Sequence, residues 1–218
     1  MKTSAAKPKN QSVQQIQWQT SERRLAKNRE ASETAIKREY PNERFLSTTA
    51  QLQAVNKWTK NLILPKNVHL AASRIPRVKI QGEILEKELR QAGILSNLGN
   101  SVYLTPEPGK YKQRVTDAIV NGVHFEFRNI TGKSRQVEQE FSEAKIKDKN
   151  VHVYLNVESD ISKNEVRRRI GLVLNRHDDY SGTIIVSIKG EKTYFWDSGS
   201  FRRKKSLPCG RAASHDVT

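Results

Sequence analysis

The sequence predicts an α/β or α+β fold: a mixed sheet with a central β-hairpin, flanked by helices and preceded by a basic, mostly helical N-terminal segment. Three observations predict it. Asn121-Gly122 sits between two alternating apolar runs in RVTDAIVNGVHFEFRNI, the strongest short-range signal for a two-residue type I′ hairpin. Val151, Val153, Leu155 and Val157 alternate as a strand, and TIIVSI and KTYFW form a closing strand pair around Lys189-Gly190. Between these strands the apolar spacing changes to that of a helix, with Val137, Phe141 and Ala144 in one stretch and Val166, Ile170, Val173 and Leu174 in another.

The elements follow in order. Residues 1–15 are rich in Lys, Gln and Ser and are expected to be disordered. From about Gln17 to Tyr40 the chain reads as a polar helix with a thin apolar stripe (Leu25, Ala35, Ile36), ended by Pro41. So polar a helix needs a partner surface or nucleic acid to pack on. Thr48-Thr49-Ala50-Gln51 fits a capping box for a helix to about Leu64, with Leu52, Val55 and Leu62 as buried candidates. Pro65 and Pro76 bracket a linker-like stretch. GEILEKELRQAG reads as a helix that Gly93 stops, and SVYLTPE as a strand. The hairpin spans 114–130. Gly132-Lys133-Ser134 then leads into a helix, and Ser162-Lys163-Asn164-Glu165 caps another. The order is α, β, β-hairpin, α, β, α, β, β. This divides the chain into a disordered 1–15, a basic helical appendage at 16–76, a domain at 77–200 and a disordered basic tail at 201–218.

The chain of 218 residues carries 39 Lys and Arg against 23 Asp and Glu, a net charge of +16. The excess is steepest in residues 1–75, where 14 basic groups face 5 acidic ones. Such a chain favours a polyanionic partner through phosphate contacts and counterion release. No apolar run approaches the length of a membrane span, and the N-terminus lacks the apolar core of a secretory signal. The reading is therefore a cytoplasmic site of action. Cys209 is the only cysteine, which excludes a disulfide framework and a cysteine-based zinc site.

The hairpin carries the chemistry. A turn at 121–122 pairs Val120 with Val123, Ile119 with His124, Ala118 with Phe125 and Asp117 with Glu126. Period-two alternation places Ala118, Val120, Val123, Phe125 and Phe127 on one face. Asp117, Ile119, His124, Glu126 and Arg128 fall on the other. Two opposed carboxylates destabilise a sheet by about 0.2–1 kcal/mol, so a divalent metal, a nearby cation or a shared proton is expected to neutralise them. Acids that hold a water-activating metal, beside a cation that stabilises phosphate charge, suit phosphodiester hydrolysis. The plainer alternative is a solvent-facing strand with an Arg–Glu pair.

The segment from 79 to 198 resembles nucleases of the PD-(D/E)XK type. Within that group it is most similar to the C-terminal tRNA nuclease domains of contact-dependent-inhibition (CdiA-type) toxins. The residues that carry the resemblance are Glu83 in its helix, the strand SVYLTPE, the stretch from Thr116 to Gly122, and Phe125-Glu126-Phe127-Arg128. The resemblance implies a nuclease-like domain acting on RNA, tRNA in particular, with Mg or Zn held by Glu83, Asp117 and Glu126. It also implies an acidic immunity partner and delivery as a toxin or association with a phage. Thr116 departs from the family's proline and Arg128 from its lysine. Arginine cannot deprotonate, so it stabilises a phosphate but makes a poor base. Lys133 or Lys145 could supply an ammonium instead.

The chain also resembles the metal-independent barnase/EndoU/colicin/RelE-like toxin ribonucleases, which implies acid–base and phosphate roles for His124, Arg128 and Arg135 and no cofactor. A third reading is a non-catalytic nucleic-acid-binding or structural protein of a phage or mobile element. Lys133, Arg135, Lys145, Arg167 and Arg168 are the candidate nucleic-acid contacts, with the Arg167–Arg169 run set against a backbone as point charges. Tyr154, Tyr194 and Trp196 are expected as buried strand aromatics. Gly132-Lys133-Ser134 lacks the upstream glycine of a phosphate-binding loop.

Overall fold

The structure, a computed structural model, describes residues 22–55, 59–106, 116–147, 150–176, 179–189 and 192–201, with the backbone alone at 22–23 and 76–84. Among these residues it is a mixed α+β fold of five α-helices and one eight-stranded sheet, in which the strands lie in sequence order. The helices are α1 (Glu22–Glu39), α2 (Thr49–Val55), α3 (Val78–Asn97), α4 (Arg135–Lys147) and α5 (Lys163–Arg176). The strands are β1 (Phe45–Leu46), β2 (Val68–Ala71), β3 (Val102–Leu104), β4 (Ala118–Val120), β5 (Val123–Ile130), β6 (His152–Val157), β7 (Thr183–Ile188) and β8 (Lys192–Asp197). Neighbours β2–β3, β5–β6 and β6–β7 run parallel, and the other neighbours antiparallel. None of the described helices is long and apolar enough to cross a membrane.

The hairpin has the expected register, with Ala118 opposite Phe125, Ile119 opposite His124 and Val120 opposite Val123. Its two faces sort as the alternation requires, except that Val123, next to the turn, is 41% exposed and joins no core. Ala118, Val120, Phe125 and Phe127 join a core with Leu85, Leu89, Ala92 and Leu95 of α3. On the other face Ile119 packs with Ala35 and Ile36 of the first helix and with Tyr40 just past its end, while Ile130 packs with Val137, Phe141 and Ala144 of α4 and with the apolar stripe of α5. The first helix and α4 therefore cover one sheet face side by side, with the polar residues of β5 between them.

Several expectations are corrected. The linker-like stretch between Pro65 and Pro76 contains β2, whose Val68, Leu70 and Ala71 are fully buried. Four residues with hardly an exposed position show no alternation to read. Residues 45–71 thus give two strands to the common sheet, and Leu46, Leu52, Leu64 and Leu70 share a core with Phe125. They do not stand apart as a helical appendage. The helix expected at 82–93 runs on to Asn97. Gly93 does not stop it; a β-carbon there would lie 3.1 Å from Pro65 Cγ, so the glycine admits a close approach. The left-handed Gly99 (φ 83°) follows the helix end instead. The capping box at 48–51 forms, with Thr48 Oγ1 accepting from the Gln51 N–H at 3.2 Å, but α2 ends at Val55 and Val55 is 46% exposed. The expected disordered segments 1–15 and most of 201–218, and the start of the first helix, lie outside the described residues.

Candidate functional site

Asn121 (φ 53°) and Gly122 (φ 85°) both take the left-handed conformation a type I′ turn requires. Asn121 locks the turn from its side chain. Its Oδ1 accepts from the Ser101 N–H at 3.0 Å and its Nδ2 donates to Asn100 Oδ1 at 2.7 Å. The Gly122 N–H donates to Ser32 Oγ on the first helix at 3.2 Å.

Beyond Phe125 the hairpin partners separate. The β4–β5 ladder ends at Ala118–Phe125 while β5 runs on to Ile130. That side of β5 would be left with bare backbone groups, each costly if buried unpaired. Side chains take them up. Asp117 Oδ2 accepts the Phe127 N–H at 2.7 Å. Gln136 of α4 donates to the Asn129 carbonyl at 3.4 Å, while Gln91 of α3 reaches the Arg128 carbonyl, on the β6 side of the strand, at 3.2 Å. The aspartate is thus fixed at the fork of the two strands.

Arg128 occupies that fork. Its Nη1 lies 3.2 Å from Asp117 Oδ2, its Nη2 2.9 Å from Glu126 Oε2, and its Nε 3.6 Å from Glu140 Oε2 on α4. Nη1 also donates to the Phe127 carbonyl at 2.8 Å. The Glu126 side chain is wholly buried, Arg128 is 15% exposed, Asp117 22% and Glu140 24%. Asp117 and Glu126 therefore do converge, just past the end of the ladder, and a guanidinium lies on both. Of the neutralising devices the sequence allows, a nearby cation is present. A planar fork with five donors suits several carboxylates at once, which an ammonium cannot match.

His124 lies on the same sheet face with a different set of partners. Its Nε2 is 3.2 Å from a carboxylate oxygen of Glu39, at the end of the first helix, and its Nδ1 is 2.8 Å from Thr116 Oγ1. The result is a carboxylate–imidazole–hydroxyl chain beside the Arg128 cluster. His152 sits against the Phe125 ring, and burial, then the neighbouring His124, holds its pKa below the usual histidine range.

The remaining candidates are dispersed. Glu83 belongs to α3, and its side chain lies outside the described residues. Lys133 and Arg135 are exposed where α4 begins. The Lys145 ammonium is 3.0 Å from Asp179. Arg168 is clasped by both carboxylate oxygens of Glu165, at 2.7 and 2.8 Å. Arg167 instead donates to the Ser200 carbonyl at 3.1 Å. Tyr154 and Trp196 are buried as expected, while Tyr194 is half-buried. Sequence reasoning missed Glu140, Gln91 and Glu39, and read Thr116 as a departure from a family pattern without its contact to His124. Only Thr116, next to Asp117, had a local signal.

Asp117 and Glu126 supply the hard oxygen donors that suit a cation such as Mg. As arranged they do not fit one. The Arg128 guanidinium spans both, and among the described residues no group of three His, Cys, Asp or Glu could hold a metal ion.

No protein-family model matches the chain, and no curated protein matches it. A solved CdiA-CT/CdiI toxin and immunity complex from Burkholderia pseudomallei is similar to it in structure, with a TM-score of 0.42 and 21% identity over 54% of this chain and 87% of that one. At that overlap and identity, function has to be argued from the chain's own residues.

Proposed function

We propose that the protein is an endonuclease that cleaves phosphodiester bonds of RNA, with tRNA as its substrate and a toxin's role in a target cytoplasm. The observation that supports this is the convergence of Asp117, Glu126 and Arg128 at the strand fork, in a chain of net charge +16. The surface charge gathers the polyanion. A phosphate entering the fork competes with the carboxylates for Arg128, whose guanidinium then faces the charge that builds on the phosphoryl oxygens. Asp117 is the carboxylate placed to take a proton from the attacking hydroxyl. It is partly exposed, and Oδ2 alone carries its bonds to Phe127 and Arg128. His124, gripped by Glu39, is placed to return a proton to the leaving oxygen. In the toxin form of this reading an acidic immunity protein would be the partner matched to this charge.

A second reading is favoured by one feature: all three nitrogens of Arg128 already face carboxylates or a carbonyl. A permanently closed cluster is a structural ion network, and the protein is then a non-catalytic nucleic-acid-binding module. Incubation with total RNA, with and without EDTA, separates the readings. Discrete products that Asp117→Asn abolishes while RNA affinity is kept support the nuclease. Loss of those products in EDTA would restore the metal. Salt-sensitive binding without products supports the binding module.

A further inference from the structure

The basic run Arg167-Arg168-Arg169 splits into two kinds of arginine. Arg168 is neutralised by Glu165, and Arg169 by Glu165 and Glu138, each at 2.8 Å. Arg167 meets no carboxylate among the described residues. Its guanidinium carbon stands 5.8 Å from the centre of the Trp196 ring and 5.2 Å from that of Phe201. One turn earlier on the same helix, the Lys163 ammonium stands 4.3 Å from the centre of the Tyr194 ring and likewise meets no carboxylate. Both cations are exposed. Tyr194 and Trp196 lie two residues apart on one face of β8, the last strand of the sheet, with ring centres 6.1 Å apart and planes 18° from parallel.

This arrangement differs from a solvated charge run. A cation over an aromatic face is held in position but keeps its charge, whereas a salt bridge cancels it. The rings fix two long side chains that would otherwise lose rotamer freedom on binding. Lys163 and Arg167 are spaced by about 6 Å along the helix axis, so they present two separate anion contacts in a row. The half-buried Tyr194 adds a ring on which a base can stack. In sequence the charge continues directly with Arg202, Arg203, Lys204 and Lys205.

The geometry points to the α5–β8 surface of Lys163, Arg167, Tyr194 and Trp196 as a docking platform for a single strand of RNA, apart from the Arg128 fork. This rests on the nucleic-acid reading above and adds where the strand is held. Single-stranded nucleic acid is the occupant that matches a pair of uncancelled cations beside the partly open Tyr194 ring, with the buried Trp196 serving to hold Arg167 in place.

The test uses the full chain and a fluorescein-labelled 2′-O-methyl oligouridylate, with the fold of each variant checked by circular dichroism. The double variant Lys163→Gln/Arg167→Gln is expected to bind at least tenfold more weakly at about 0.1 M salt. Its log affinity against log salt should be flatter by about 1.4, the share of two phosphate contacts on a single strand. A charge-matched control, Lys66→Gln/Arg90→Gln, should lose less than threefold. Tyr194→Ala should weaken binding without changing the salt slope, and Arg167→Lys should restore most of what Arg167→Gln loses. Equal losses in the two double variants would show a general charge effect and overturn the platform. If the wild type binds and cuts RNA while the Lys163/Arg167 variant binds as well as it does, the platform falls and the nuclease reading stands. If the wild type binds no oligonucleotide at all, both fall together.

Discussion

Arg128 sets one positive charge against three carboxylates, those of Asp117, Glu126 and Glu140. Arginine stays protonated at any ordinary pH, so the fork depends on this side chain. Removing one partner of a buried ion cluster leaves the others uncompensated and costs about 3–5 kcal/mol. Arg128→Met is therefore expected to lower Tm by roughly 6–20 °C for a chain of this size, read by thermal denaturation at neutral pH. Arg128→Lys should fall between that variant and the wild type, because an ammonium keeps the charge but cannot face three carboxylates in one plane. A Tm for Arg128→Met within 2 °C of wild type would show that the cluster does not hold the fork together. At this scale much was legible. Alternation alone put Asp117, Glu126 and Arg128 on one face, because a strand offers only two. Glu140 was not legible, since its place depends on how α4 crosses β5, and no local spacing encodes that crossing.

The first helix shows the same limit for a whole element. Its polar sequence called for a partner surface, and the partner is the hairpin itself. At Gly122 the two approach closely: a β-carbon there would lie 3.1 Å from the Ala31 carbonyl oxygen, on a residue whose φ of 85° already disfavours a side chain. Gly122→Ala should cost about 1–3 kcal/mol from the backbone conformation, with a further loss as the helix is pushed off. Denaturant unfolding would show this as a lower midpoint. The same helix covers His69, which stacks on Tyr103 with ring centres 4.2 Å apart. Burial first, and then Arg29, lower the His69 pKa to about 4 against a smaller opposing pull from Glu33. The unfolded chain therefore binds a proton between pH 6.5 and about 4 that the folded chain refuses. The stability this group contributes is present above pH 6.5 and drains away as pH falls to about 4. His69→Phe keeps a ring on Tyr103 without titrating, so its Tm should fall less steeply over that window. Parallel Tm profiles for variant and wild type would remove His69 from the pH response. The strands at this edge of the sheet were the hardest to read: β1 has two residues and β2 four, too few for a period to show.

At the scale of the molecule the charge is concentrated toward the ends of the sequence. Residues 1–21 hold three lysines and no acid, and residues 202–218 hold five Lys and Arg against one Asp. These 38 residues thus carry +7 of the +16. The described residues between them supply three buried core clusters. A chain trimmed to 22–201 keeps every residue of those clusters and should hold its Tm within about 3 °C. RNA binding should respond differently. Each Lys or Arg that touches a phosphate of a single strand adds about 0.7 to the slope of log affinity against log salt. Losing eight basic residues can lower that slope by at most about 5 to 6, and a fall of 2 or more would show that the ends gather the substrate. Titrations of the trimmed and full chains at several salt concentrations provide the measurement. If cleavage at saturating RNA is unchanged while the slope falls, capture and chemistry are separable, with the Arg128 fork keeping the chemistry. An unchanged slope would assign capture to residues 22–201, where Lys163 and Arg167 are among the cations of α5 that meet no carboxylate among the described residues.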